Sequence, residues 1–381
     1  MNIEIVGINP LNKGARMMFD TIVKNCKFRF GNDTKIVVKV DSNLSWKFAS
    51  KENIYKKLHY RKYHFDFGDF GFFIPSNIRK KNNIILDKEL DLVFDASGFA
   101  YGDQWTYRIA KYAAKNSKRM HKRKIPYILM PQAFGPFDNK INEYYTKKLF
   151  KNSSIIFVRD KESYQHVINL NLEKDVISKI KLSPDITINN KPKRIIKPSV
   201  KSKRVCIILN EKIISSSEVD NISKIYMKFI SEIINNFHHL GKEVFLLNHE
   251  GNKDLSLCLE VKKVHRNIEI IDENDPWLIK SIIGQSSFVF SSRFHGLVNS
   301  LSQSIPSITI GWSHKYHELM SDFGQEKYLI QIDDKLTDIA KLIKELVDNE
   351  MDVKSTLKEA VNLNSIKIEE MWEEIFDTIQ Q

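Results

Sequence analysis

Short apolar runs alternate with amphipathic segments along the whole chain, and this alternation restricts the fold more than any other feature. In the first half, apolar runs at 3–8, 35–40, 90–95, 126–130 and 154–159 have the length and residue types of buried strands. Between them, 14–26 and 140–151 place apolar residues at helical spacing. After residue 204 the series starts again. Strands are expected at 205–209, 243–247, 268–271, 287–291 and 306–310, and helices at 221–240, 276–283 and 297–301. Strands that alternate with helices build parallel sheets covered on both faces. The expected fold is therefore α/β, with two Rossmann-like domains and a helical C-terminus over 335–381.

The break between the two series is visible in composition. Residues 189–204, NNKPKRIIKPSVKSKR, hold two prolines, many cations and little apolar periodicity. We expect an N-terminal domain over 1–190, a linker over 191–204, a C-terminal domain over 205–355 and a helical tail over 356–381. Residues 43–85 are aromatic-rich without a clear period and are expected to form an irregular insertion. A chain of 381 residues is long for one core, which agrees with two domains.

The formal net charge is +12, which favours anionic partners such as phosphorylated substrates or anionic lipid surfaces. The basic runs at 118–124, 191–203 and 262–266 lack zinc-finger spacing, a ribonucleoprotein motif or a clean basic helix, so a nucleic-acid partner is not expected. Cys26, Cys206 and Cys258 are far apart in sequence and form no metal or disulfide pattern. No apolar run approaches the ~20 residues needed to cross a bilayer. The start, MNIEIVGINP, reads as a strand rather than a secretion signal. A cytoplasmic protein is expected, peripheral to the inner membrane face at most.

The chemistry-bearing residues gather in 291–324, SSRFHGLVNSLSQSIPSITIGWSHKYHELMSDFG. Ser291 or Ser292 is expected to cap the helix after the strand 287–291, which puts Arg293, Phe294 and His295 in its first turn. Ligands of open α/β sheets sit at the carboxyl ends of strands, where helix N–H groups attract anions. Residues 311–316, GWSHKY, are expected as a second loop at the same edge, bringing His314 and Lys315 towards Arg293. The competing reading pairs Arg293 with a surface acid and leaves the histidines solvated. Asn248, His249 and Glu250 end another strand at this edge and are candidates to line the site.

These residues and five further stretches resemble the polysaccharide pyruvyl transferase family. SRFH and the helix after it are similar to the family's S-R-[LF]-H signature. NKGARMM (12–18) matches the N-terminal loop, with Ala15 where many members carry an acid. SGFAYGD (97–103) matches G-G-G-x-x-x-D, with Ala96 and Ser97 replacing two glycines. PQAFGPF (131–137), VRDKESYQHV (158–167) and PDI (184–186) follow in family order.

The resemblance implies a GT-B-like fold, two Rossmann-type domains facing a central cleft. It implies transfer of pyruvate from phosphoenolpyruvate to two hydroxyls of a sugar, as a ketal, with release of phosphate. On this reading Arg159, Arg293, Phe294, His295, Gly296, His314 and Lys315 bind phosphoenolpyruvate, His295 is the general acid and Asp103 the carboxylate at the acceptor. Asn12, Lys13, Gln132, Asn248, His249, Glu250 and Ser313 line the acceptor side or the cleft. On local grounds Arg159 could equally form a structural bridge to an acid, and Asp103 could be a turn residue. Trp46, Trp105 and Tyr107 could stack on sugars or simply pack. No metal or cofactor is expected; the partners are phosphoenolpyruvate and a lipid-linked or nucleotide-linked glycan. The alternative is a GT-B glycosyltransferase with a nucleotide-sugar donor, although the paired C-terminal glutamates common in retaining enzymes are not evident. A non-enzymatic basic protein is the rival from another class.

Overall fold

The computed structural model describes residues 1–9, 12–40, 54–62, 65–192, 204–215, 220–311, 314–332 and 334–380. Two units separate: unit 1 is Met1–Ile186 with Ile368–Gln381, and unit 2 is Thr187–Lys367. The division falls a few residues before the expected linker, of which 193–203 lie outside the described residues. The tail is not separate. The helix Glu350–Gln380 belongs to unit 2 up to Lys367, and its last turns pack in unit 1. There Trp372 meets Phe94 edge-on at 6.1 Å and Phe376 meets Phe30 at 5.5 Å. Helical periodicity marks an apolar face but not the core that receives it.

Unit 1 is built on β1 (Asn2–Val6), β2 (Lys35–Val40), β3 (Tyr55–Lys62), β4 (Phe65–Asp69), β5 (Leu92–Asp95), β6 (Tyr127–Gln132), β7 (Ile155–Val158) and β8 (Ile180–Leu182). They form an eight-stranded sheet in the order β4-β3-β2-β1-β5-β6-β7-β8, parallel except for the β3–β4 pair. Strands such as IIFV and LVFD are buried at every position because helices cover both faces, so their sequences do not alternate. Asn139 caps the helix Lys140–Asn152 by accepting from Ile141 N at 2.9 Å.

The stretch expected to be an irregular insertion is in part regular. β3 adds to β2 in parallel register, and β4 folds back on it; residues 41–53 and 63–64, with Trp46, lie outside the described residues. Charge hid the strand: β3 reads YKKLHYRK, yet Lys57 is buried. Its ammonium pairs with Glu4 of β1 and with Asp87 Oδ1 at 3.1 Å, and Arg119 Nε reaches Asp87 Oδ2 at 2.6 Å.

Unit 2 holds β9 (Val205–Ile208), β10 (Val244–Asn248), β11 (Glu269–Asp272), β12 (Phe288–Ser291), β13 (Ser307–Ile310) and β14 (Leu329–Ile330). Its parallel sheet runs β11-β10-β9-β12-β13-β14. The chain winds from β9 outward to β11, then returns to the other side of β9 as β12. The gap between β9 and β12 is thus the point where strand order reverses, the position at which such sheets hold ligands. Asp275 caps the helix Pro276–Gly284 through Trp277 N and Leu278 N, with proline at the first helical position. Among the described residues, no helix is long and apolar enough to cross a membrane.

The buried charges of unit 1 make a testable claim. Burial alone would raise the Asp87 carboxyl, but the Lys57 ammonium and the Arg119 guanidinium outweigh it and hold it below the usual carboxylate range. A depressed folded value means the contribution is complete above the unfolded value of about 4 and is lost as pH falls through the folded one. Urea unfolding should show Lys57→Met destabilised by about 3–5 kcal/mol at neutral pH, because buried Glu4 loses the ammonium it pairs with and Asp87 loses one of its cations. Asp87→Asn should flatten the acid limb of the stability profile.

Candidate functional site

In unit 2 the reversal point is framed by two strand ends. β9 runs out into Asn210 and Glu211, and β12 into Ser292 and Arg293. Ser292 is buried and joined to Ile208 O by its N–H and its hydroxyl, both at 3.0 Å. Asn210 Nδ2 donates to Ser292 O at 2.8 Å, and Tyr316 OH donates to the same carbonyl at 2.9 Å. Tyr226 OH lies 2.6 Å from Ser292 Oγ and accepts from Asn210 N at 3.2 Å. Burial pushes the Tyr226 phenol up, so it stays protonated. The strand ends are therefore fixed before any ligand arrives.

Arg293, not a serine, is the N-cap of the helix Phe294–Leu301, and its side chain makes no capping bond. Ser291 acts one residue earlier, accepting from Arg293 N at 3.2 Å and donating to Arg293 O at 2.8 Å. The guanidinium turns instead to Asp254, donating from Nε at 2.7 Å and from Nη2 at 2.6 Å. Asp254 is 0 % exposed and also accepts from Glu211 N at 3.0 Å. The acid foreseen as a surface partner is thus a buried one that holds the arginine by two prongs. Gly296 lets the helix come close to the sheet: a Cβ there would fall 2.5 Å from Ser291 Oγ and 2.9 Å from Ile208 Cδ1.

The two basic clusters do meet. His314 opens the helix His314–Asp322, so His314 and Lys315 lie in a first helical turn rather than in a loop. Lys315 Nζ stands 5.1 Å from the Phe294 ring centre, and the Tyr316 ring is edge-on to Phe294 at 5.7 Å. The His295 ring meets Phe294 edge-on at 5.5 Å. Ser313 lies outside the described residues, as does the side chain of His314. Asn248 ends β10 and His249 follows it, both buried at the same carboxyl edge, and Glu250 is the N-cap of the helix Gly251–Val264. Asn248 Nδ2 is committed to Asp272 Oδ1 at 2.8 Å, on the side away from β12.

In unit 1 the family-like stretches hold one another. Arg159 Nη1 faces Asp185 Oδ2 at 3.5 Å, both buried, so the R-D and P-D-I elements form the structural bridge that local reading allowed. Asp160 caps the helix Lys161–Ile168 through Ser163 N at 2.7 Å, and Ser163 Oγ accepts from Phe134 N at 2.9 Å. That bond ties R-D-x-x-S to the P-Q-A-F-G-P loop. Gln132 is fully buried at the end of β6, and its carbonyl accepts from Arg159 N at 3.0 Å. Asn12 caps the helix Lys13–Phe30 through Ala15 N at 2.9 Å, and Lys13 is buried in its first turn.

Asp103 is similarly committed. Its Oδ2 accepts from Asp138 N at 2.5 Å and Asn139 N at 3.0 Å, and its Oδ1 from Asn142 Nδ2 at 2.9 Å. Through these bonds Asp103 clasps the 97–103 loop to the 131–139 loop and to the helix that follows it. Trp105 is exposed, and Tyr107 stacks on Tyr145 at 6.4 Å.

Sequence reasoning did not find Asp254, Asn210, Tyr226 or Tyr316. Asn210 follows β9 as Arg293 follows β12, so the strand-end rule already pointed at it. Asp254 had no local signal, since its partner is 39 residues away. Asp254→Ala should cost about 3–5 kcal/mol in urea unfolding, because it strands a largely buried guanidinium. Arg293→Lys should also destabilise, by less, since a lysine keeps the charge but not the fork.

Comparison with known proteins bears on both units. The sequence profile of the polysaccharide pyruvyl transferase family matches residues 12–314. No curated protein sequence matches the chain. UDP-GlcNAc 2-epimerase from Neisseria meningitidis, bound to UDP-GlcNAc, is similar with a TM-score of 0.58 at 10% identity, over 100% of this chain and 98% of that one. The UDP-GlcNAc 2-epimerase from Methanocaldococcus jannaschii gives 0.52 at 14% identity, over 95% and 92%. A glycosyltransferase from Rickettsia africae gives 0.55 at 12% identity, over 100% and 97%. At such identities the likeness concerns the fold, which is of GT-B type in both parallel-sheet units. The family profile spans most of the sequence and reaches into both sheets, and the chain belongs to the polysaccharide pyruvyl transferase family of enzymes.

Proposed function

We propose that the protein transfers the pyruvyl group of phosphoenolpyruvate to two hydroxyls of a sugar during synthesis of a bacterial surface polysaccharide, with the donor held at the carboxyl edge of β12 and β13. The observation that carries this reading is that Lys315 stands over the ring of Phe294, the residue that follows Arg293, so the two cationic segments reach one strand edge. Phosphoenolpyruvate carries a carboxylate and a phosphate. An Arg–Lys pair beside an N-terminus without a side-chain cap suits both groups, because N–H groups and helix dipole add to the positive field.

Asp254 has a defined part in this reading. It keeps the guanidinium in one orientation, so little side-chain freedom is lost when the donor binds. Arg159 is left to its bridge with Asp185 and Asp103 to its clasp. His295, in the first turn of the helix, protonates the methylene carbon of the donor, which makes C2 electrophilic. One sugar hydroxyl adds to C2 and its proton returns to His295. The C2–O bond to phosphate then breaks, the second hydroxyl closes the ketal, and its proton leaves with the phosphate. The balance is phosphoenolpyruvate and a diol to a ketal and hydrogen phosphate, with no electrons exchanged, so the proposal calls for no redox cofactor. The acceptor is proposed to be a lipid-linked or nucleotide-linked glycan.

Calorimetry with phosphoenolpyruvate and with UDP-N-acetylglucosamine separates this reading from a nucleotide-sugar glycosyltransferase. Saturable phosphoenolpyruvate binding is expected, weakened about tenfold or more in Lys315→Ala, as loss of one charge-assisted contact implies. His295→Ala should bind the donor nearly as tightly as the parent while turnover falls about 10²–10⁴-fold. Binding of the nucleotide sugar without phosphoenolpyruvate binding would overturn the proposal.

A further inference from the structure

The basic run at 118–124 has no part in the site described above, and its position in unit 1 gives it one. The helix Arg108–Lys122 leads from the carboxyl end of β5 to the amino end of β6, so its last turn lies at the amino-terminal edge of the sheet. Lys122, Arg123 and Lys124 are exposed there. The helix Lys13–Phe30 reaches the same edge ahead of β2, ending in exposed Lys27, Phe28 and Arg29.

A third element arrives by a different route. β4 runs antiparallel to β3 and so delivers the short helix Phe70–Phe73 to the amino end of β3. The helix Ser76–Lys81 follows, and Lys56 N donates to Asn83 O at 2.7 Å, pinning the segment beside the start of β3. Phe72 is 69 % exposed, Phe73 74 %, Ile78 47 %, and Phe28 on the neighbouring helix 90 %. Lys80 and Lys81 are exposed beside Ile78.

We propose that this amino-terminal edge of unit 1 docks on an anionic bilayer, with Phe28, Phe72, Phe73 and Ile78 entering the headgroup region and the surrounding lysines and arginines pairing with lipid phosphates. Cations at helix C-termini alone would be unremarkable, since they complement the helix dipole. That account leaves four large apolar side chains in water, at one sheet edge, on three separate elements. Exposed apolar groups ringed by cations match the membrane interface, where burial of the former and attraction of the latter add. Exposed Asp33 and Asp91 oppose these cations, as do Glu173 and Asp175 ahead of β8 and, on the C-terminal helix that packs beside Phe30, Glu373 and Asp377; around the apolar side chains themselves, Lys27, Arg29, Lys80 and Lys81 stand on the same elements.

A nucleic acid fits the surface less well. Phe72 and Phe73 meet at 80°, edge to face, and offer no common plane on which successive bases could stack. Ile78 adds nothing to stacking but does add to partition into lipid. No residue of this edge takes part in the donor site, so the proposal stands apart from the phosphoenolpyruvate reading.

Sedimentation of the full chain with vesicles tests it directly. Binding is expected to phosphatidylcholine vesicles that contain phosphatidylglycerol, and to fall when phosphatidylglycerol is omitted or salt is raised past the screening range. The triple variant Phe28→Ser, Phe72→Ser, Phe73→Ser should lower partitioning about tenfold or more, since each ring removed takes its buried apolar area with it. Lys80→Glu with Lys81→Glu should lower it further in the anionic vesicles alone. Unchanged far-ultraviolet dichroism and melting temperature would establish that these exposed positions are dispensable for folding. The proposal is overturned if the parent chain does not bind anionic vesicles, or if the triple variant binds equally well. It is also overturned if the apolar positions instead control self-association or binding of a single-stranded oligonucleotide.

Discussion

The two-pronged pair between Asp254 and Arg293 organises the carboxyl edge of unit 2. It joins the first turn of the helix Gly251–Val264 to the cap of the helix Phe294–Leu301, and through Glu211 N it also holds the run-out of β9. Three segments distant in sequence are thus set against one buried carboxylate. Without that acid, a guanidinium at a strand end would be a mobile surface charge. With it, the cation is held in one orientation and largely desolvated.

Unit 1 uses its family-like stretches differently. The R-D-x-x-S, P-Q-A-F-G-P and P-D-I elements bond to one another before anything else: Arg159 to Asp185, Ser163 to Phe134, Asp160 to its own helix. Asp103 closes the same framework from the side of β5. Polar side chains at parallel strand ends must satisfy buried backbone groups as well as meet substrate. A motif there carries both duties, and sequence does not say which residue carries which.

Most of the strands were legible because buried parallel strands are short, apolar and β-branched, as in VCII and SITI. β3 was not, since its buried Lys57 is neutralised by Glu4 and Asp87, which lie 53 and 30 positions away in a chain whose folding brings them together. The meeting of Arg293, Phe294 and Lys315 was legible from a simple rule, that neighbouring parallel strands deliver their following residues to one edge. The cap was misplaced by one or two residues, and His314 and Lys315 proved helical, because a serine near a helix start is a preference rather than a determinant.

By itself the sequence determined two α/β series and the family, because periodicity and short motifs are local or ordered properties. Tertiary structure alone decided which charges are paired, and with what. Asp254 rather than a surface acid holds Arg293, Asp103 is a clasp, and Arg159 is a bridge. The last turns of the C-terminal helix pack in unit 1 rather than forming a tail. Each of these depends on a partner far away in the chain, and the energy of a charge or an apolar face is set by what surrounds it once folded.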